Sequence, residues 1–214
     1  MNQPVNRREA VKTSFLAGAA LAAPLYLPRR VFGANDTIIM GIIGSGGRGC
    51  DVMKKCIREN AKFVAVCDVS EPRIREGIKT AEINNDGKID VYKDFNELLE
   101  RKDIEAVLIG TPEHQHCRQM VAAVQAGKDV YCEKPMSHSI EEGAWAVREV
   151  RKTDRIVQIG MQRRSAPLIL EGLKVIQSGI LGDVNFVKAQ WNWQASGPQD
   201  NRPLGYEIDW ERFA

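Results

Sequence analysis

The sequence lacks a charge surplus. Its 30 Lys and Arg stand against 28 Asp and Glu, leaving +2. Arg7, Arg8 and Lys12 against Glu9 account for that excess near the start, so the remainder is formally neutral. This argues against nucleic-acid binding driven by phosphate neutralisation. Paired cysteine motifs are lacking too. The five cysteines, Cys50, Cys56, Cys67, Cys117 and Cys132, are odd in number and include no Cys-x-x-Cys. Neither a disulfide framework nor a zinc site is indicated. Most fall at apolar positions of predicted elements, where a free thiol packs as a small hydrophobe. The apolar stretch from Ser14 to Ala23 is too short to span a bilayer comfortably, and Pro24 interrupts it. No internal repeat or low-complexity run is present.

What is there is ordinary for a soluble globular chain: 43% hydrophobic and 27% charged residues over 214 positions. That length suits one full domain and part of another. The opening, Asn6-Arg7-Arg8-Glu9-Ala10-Val11-Lys12, precedes a short Ala/Gly-rich apolar core and the small residues Ala20-Leu21-Ala22. The pattern describes a secretory signal, and its arginine pair resembles the twin-arginine subtype. A Sec signal and an uncleaved anchor are the alternatives. The twin-arginine machinery moves folded proteins, so a cofactor can be bound before export and buried free thiols are tolerable. Residues 1–35 are therefore expected to be signal and linker, and the protein to be exported to the periplasm.

From Thr37 onward strands and helices alternate. Thr37–Ile43 is an almost unbroken apolar run, as in a central strand buried on both faces. A helix through Cys50, Met53, Cys56 and Ile57 shows one apolar stripe. Further strands are expected at Phe63–Cys67, Val91-Tyr92, Ala106–Gly110, Asp129–Cys132 and Arg155–Ile159. Helices are expected near Glu71-Pro72, after Asp94, around His116 and after Ser139, which opens a capping-box pattern with Glu142. Six alternations at this spacing predict an α/β fold with a doubly wound parallel Rossmann sheet over residues 36–160. A helix from Ala166 to Gln177, with Ser165 as cap, and a strand from Val184 to Trp193 would begin a second, α+β domain over residues 161–214.

Gly44-x-Gly46-x-x-Gly49 sits where a dinucleotide fingerprint must, between a strand and a helix. Gly44 permits the turn, Gly46 lets a diphosphate approach the backbone, and Gly49 lets helix and strand pack closely. Asp68 lies 19 residues after Gly49, at the end of the second strand. A carboxylate there accepts from the adenosine ribose hydroxyls and repels a 2′-phosphate, favouring NAD over NADP. Arg48 leaves NADP open, because a guanidinium can pair a phosphate. His114 and His116 follow the fourth strand, but the pair has no clear third ligand, so no metal site is expected. The turn Asn84–Gly87 is no calcium loop, since Lys93 stands where the bidentate Glu belongs. Lys134 follows the fifth strand, over the same edge, and could hydrogen-bond a substrate hydroxyl or simply be solvated.

The fingerprint, Cys67-Asp68, Thr111-Pro112-x-x-x-His116, Glu133-Lys134-Pro135 and Gly160-Met161-Gln162-Arg163-Arg164-Ser165 together resemble the glucose–fructose oxidoreductase / inositol dehydrogenase (Gfo/Idh/MocA) family. The resemblance runs from about Thr37 to Ala214. It implies hydride transfer between a sugar or cyclitol carbon and nicotinamide. By that resemblance Gly44, Ser45, Gly46, Gly47, Arg48 and Gly49 would contact the diphosphate, and Asp68 the ribose. Thr111, Pro112 and His116 would border the nicotinamide side. Glu133 would fix the cofactor ribose, and Lys134 would be the active-site lysine, aimed by a cis bond before Pro135. His116 is a second catalytic candidate, while its spacing to Met120 equally fits a partly buried helix residue. Gln162 and Arg163 would border the substrate, and a homo-oligomer would form through the family's large second sheet. Little of that sheet is in this sequence, which suggests a truncated chain without the family's Asp/His acid–base pair. Two other functions stay open: an NAD-dependent glycosidase or lyase that oxidises C3 transiently, and a non-catalytic nucleotide-binding remnant.

Overall fold

The computed structural model describes residues 37–190 and 206–213. The expected signal and linker, and Trp191 and Trp193, lie outside the described residues.

The apolar run after Thr37 forms β1 (Ile38–Ile43), followed by α1 (Gly47–Arg58), β2 (Ala61–Cys67), α2 (Glu71–Ala81) and β3 (Asp90–Tyr92). Then come α3 (Phe95–Leu99), β4 (Ala106–Ile109), α4 (Glu113–Gln125), β5 (Asp129–Cys132), α5 (Ile140–Val150) and β6 (Val157–Ile159). These strands form one sheet in the order β3-β2-β1-β4-β5-β6, every pair parallel. Successive connections leave β1 and β4 in opposite directions, which opens a crevice beyond the C-terminal ends of the two strands.

The period of two explains why β1 and β4 read as unbroken apolar runs. Met40, Ile42 and Leu108 pack with Cys50, Met53 and Phe63 from one side of the sheet. Ile43, Val107 and Ile109 pack with Leu98, Met120 and Val124 from the other. The cysteines are part of this packing and all five are free. Burial pushes the Cys132 thiol up to about 12 and the Cys117 thiol to about 11, so both stay uncharged and unreactive at neutral pH.

Local signals set the helix starts. Asp94 accepts from the Asn96 amide at 2.8 Å, and Ser139 Oγ accepts from the Glu142 amide at 3.2 Å. The reciprocal bond of the capping box is displaced by one residue, because Glu142 accepts from the His138 amide at 3.0 Å. Asn85 closes its turn by accepting from the Gly87 amide at 3.0 Å.

After the sheet two expectations fail. The next helix, α6 (Pro167–Gln177), is capped by Ala166, while Ser165 ends a preceding 3-10 turn, Gln162–Ser165. Over Val184–Gln190 no strand forms. An extended segment becomes a strand only when its backbone enters a ladder with a neighbouring strand. Helix α6 buries none of its residues, leaving Leu168, Leu173 and Ile176 exposed. A final helical turn, α7 (Trp210–Phe213), closes the described chain.

Candidate functional site

The chain leaves β1 through Gly44, whose φ of +84° is one that only glycine adopts without strain. A Cβ there would lie 2.5 Å from the Thr111 amide nitrogen. A Cβ on Gly49 would lie 2.2 Å from the Gly44 carbonyl oxygen, and one on Gly110 would meet that same oxygen at 2.8 Å. These three glycines thus interlock the end of β1, the first turn of α1 and the end of β4. Gly46 and Gly47 differ, since nothing lies within 4 Å of where their Cβ atoms would stand. No side chain caps α1, and its first turn holds no acidic residue. Its free amides and positive dipole end therefore offer a ready anion site.

These elements surround a groove of about 660 Å³, lined by Gly44, Gly46, Arg48, Asp68, Thr111 and Pro112 among others. Asp68 stands at the end of β2. Its Oδ2 accepts from the Ser45 amide at 2.8 Å and its Oδ1 from the Ser70 amide at 3.0 Å. Burial pushes the Asp68 carboxyl above its usual range, against the pull of the Ser70 and Ser45 hydrogen bonds. Ser45 itself is fully buried, and its hydroxyl donates to the Arg73 carbonyl at 2.9 Å. Its side chain braces the glycine loop against α2 and does not line the groove.

A second cluster sits at the end of β5. Glu133 is buried, and its Oε1 lies 2.7 Å from Arg48 Nη2. Its Oε2 accepts from the Lys134 amide at 3.2 Å. A Cβ on Gly160 would come within 2.9 Å of Glu133 Oε1, so the glycine after β6 makes room for the carboxylate. The Lys134–Pro135 peptide is cis. Lys134, Gln162 and Arg163 are exposed, and none of them lines the enclosed groove.

His116 has a different part from the catalytic one expected of it. It is 1% exposed, with Nδ1 2.6 Å from the Pro135 carbonyl and Nε2 2.7 Å from the Thr111 carbonyl. Neither ring nitrogen is free to reach a ligand, and the ring ties the loop after β4 to the loop after β5. His114 points elsewhere, to the Phe213 carbonyl at 2.8 Å. Three features escaped the sequence reading. Gly110 was legible only as a strand end. Gln119 accepts from the Thr111 hydroxyl at 2.7 Å, one helical repeat from its neighbours on the α4 face. Tyr206, Ile208 and Phe213 line the groove from far along the chain, and no local signal marks them.

Comparison with known proteins agrees with this fold. The profile of a family described as GFO_IDH_MocA, "Oxidoreductase family, NAD-binding Rossmann fold", matches residues 38–161. The uncharacterized oxidoreductase YrbE of Bacillus subtilis is 30% identical over 152 residues, covering 71% of this chain and 43% of that protein. The inositol 2-dehydrogenase of Salmonella typhimurium is 29% identical over 182 residues, covering 81% and 53%. Among solved structures, scyllo-inositol dehydrogenase from Lactobacillus casei with bound NAD(H) and scyllo-inositol superposes with a TM-score of 0.60 at 27% identity, covering 69% of this chain and 43% of that one. The chain thus spans about half the length of the relatives it matches.

Proposed function

The chain belongs to the Gfo/Idh/MocA oxidoreductase family, and on that premise we propose that the protein moves a hydride between a hydroxyl-bearing carbon of a sugar or cyclitol and the nicotinamide of NAD. One observation carries the proposal: the glycine loop, Asp68 and Glu133-Lys134-Pro135 share one edge, at the C-terminal ends of β1, β2 and β5. The residues present fit the dinucleotide. The uncapped α1 amides and the open Cβ positions of Gly46 and Gly47 suit a diphosphate.

Bound NAD supplies the hydride acceptor. The remaining work falls to the chain. The first turn of α1 holds the diphosphate charge, and Asp68 accepts from the adenosine ribose hydroxyls. Arg48 is held by Glu133 at the end of β5, three strands from Asp68. At about 4.8 Å per strand, roughly 14 Å separate the two strand ends. Arg48 so placed does not serve a 2′-phosphate beside Asp68, which supports NAD over NADP. Lys134, exposed beside the buried Glu133, donates a hydrogen bond from Nζ to the oxygen of the reacting hydroxyl, stabilising the charge that builds there as its proton departs to water and the hydride to nicotinamide. Gln162 and Arg163 border the substrate.

The proposal is tested by incubating the protein with NAD and a panel of inositols and hexoses and following NADH. Accumulation with one of them is the expected result. NAD binding without turnover of any sugar would sink the oxidoreductase reading, and aglycone release from a glycoside without NADH would replace it with transient oxidation.

The raised Asp68 pKa gives a pH dependence. In the free protein the carboxyl stays protonated to a higher pH than usual, because burial disfavours its charge. Ribose hydroxyls donate to the ionised form, so NAD binding draws that pKa down and releases a proton. Affinity is therefore expected to rise with pH through the raised Asp68 pKa and to level off above it. Calorimetry in buffers of different ionisation enthalpy measures the proton release, which Asp68→Asn should remove.

A further inference from the structure

Tyr206–Phe213 lies well beyond the family-matched residues 38–161, yet it returns to the groove. At one end Ile208 forms an antiparallel bridge with Ser70, where α2 begins. At the other, the Phe213 carbonyl accepts from His114 Nε2 at 2.8 Å and from Gln115 Nε2 at 3.2 Å. The Phe213 ring packs on the His114 imidazole with centroids 5.5 Å apart. Between these anchors the segment is a built turn, with Asp209 Oδ1 accepting from the Arg212 amide at 3.1 Å.

The topology says what this segment crosses. Ser70 follows β2 and His114 follows β4, and β1 lies between those strands. A chain fastened at both ends therefore passes over the end of β1, where the glycine loop begins. Tyr206, Ile208 and Phe213 line the same groove as Gly44 and Asp68, whereas Lys134 does not.

We propose that Tyr206–Phe213 forms the outer wall of the adenosine half of the dinucleotide site and retains the bound dinucleotide. This rests on the NAD-binding reading above and adds to it a second wall. An adenine ring has two flat apolar faces, and a retained one is covered on both. The sheet side supplies Val69, next to Asp68 at the end of β2, and the segment supplies Ile208 and Phe213, all of which line the groove. Release then requires the His114 and Gln115 bonds to Phe213 to open, which slows dissociation more than association. The nicotinamide half, toward β5 and β6, is left open to substrate. His114 so acts as a latch and takes no part in hydride transfer.

Two ligand fragments separate the halves: ADP-ribose and nicotinamide mononucleotide. Hydrogen exchange of the whole chain should show Tyr206–Phe213 and Ser70 protected by ADP-ribose and unaffected by the mononucleotide. Phe213→Ala should raise the ADP-ribose dissociation rate about tenfold with the association rate within threefold, as expected for loss of one aromatic contact. His114→Ala should act in the same direction. Unchanged exchange over Tyr206–Phe213 with ADP-ribose bound, or an unchanged dissociation rate in Phe213→Ala, would overturn the wall while leaving NAD binding intact. Failure of the unmutated chain to bind ADP-ribose at all would remove both readings.

Discussion

Gly49→Ala is expected to damage the fold itself, whereas Gly46→Ala, three residues earlier, should damage only ligand binding. The Cβ introduced by Gly49→Ala would stand 2.2 Å from the Gly44 carbonyl oxygen and 3.3 Å from Ile42 Cδ1. The first neighbour is backbone, held by the turn at Gly44, so it cannot rotate away. Relief requires α1 to back off from β1, opening the packing of Cys50 and Met53 against the sheet. Overpacking of this kind costs roughly 3 kcal/mol. For a domain of this size that lowers the melting temperature by roughly 6–12 °C. Gly46 has no atom within 4 Å of its would-be Cβ, so the Gly46→Ala variant should melt with the parent. The added methyl instead occupies the space through which a diphosphate reaches the α1 amides, and NAD affinity should fall roughly 30-fold, or about 2 kcal/mol. Paired melting curves and NAD titrations check both halves. Equal melting of Gly49→Ala and the parent would refute the interlock. Full NAD affinity in Gly46→Ala would refute the placement of the diphosphate.

Lys134→Met should lower turnover about a thousandfold, at the upper end of the range for removal of a hydrogen-bond donor to the reacting oxygen. NAD affinity should change less than threefold. The side chain is exposed, and the residue is tied to the site through its backbone amide, bonded to Glu133, which methionine keeps. Lys134→Arg should not rescue, because the larger planar guanidinium places its donors differently from the compact lysine head group. Steady-state rates together with NAD binding separate the outcomes. Parallel loss of turnover and NAD binding would make Lys134 a cofactor residue. Unchanged turnover would remove it from the chemistry altogether.

The legible part of this fold was the part set by local spacing. β1 and β4 read as strands because burial on both faces makes every position apolar, and Asp94 and Ser139 marked helix starts because their side chains bond the nearby amides. Ser165 misled for an equally local reason. Pro167 takes the first helical position and bars its predecessor from helical geometry, so the cap falls at Ala166. The strand expected from Val184 was different, since its pattern is real but pairing depends on a neighbour that a pattern cannot supply. His116 could be read either way from its spacing to Met120. Its burial against the Thr111 and Pro135 carbonyls settled the matter.

The amino-acid sequence by itself determined the strand–helix alternation, two of the interlocking glycines, Gly44 and Gly49, and the carboxylate at the end of β2. Each follows from steric or hydrogen-bonding demands within a few residues, or from one strand to the next. The tertiary structure alone decided which distant groups meet. Arg48 and Glu133 pair across 85 residues, and His114 holds Phe213 across 99. Those contacts exist because strand order sets β4 beside β1 and brings loops remote in sequence to one edge of the sheet.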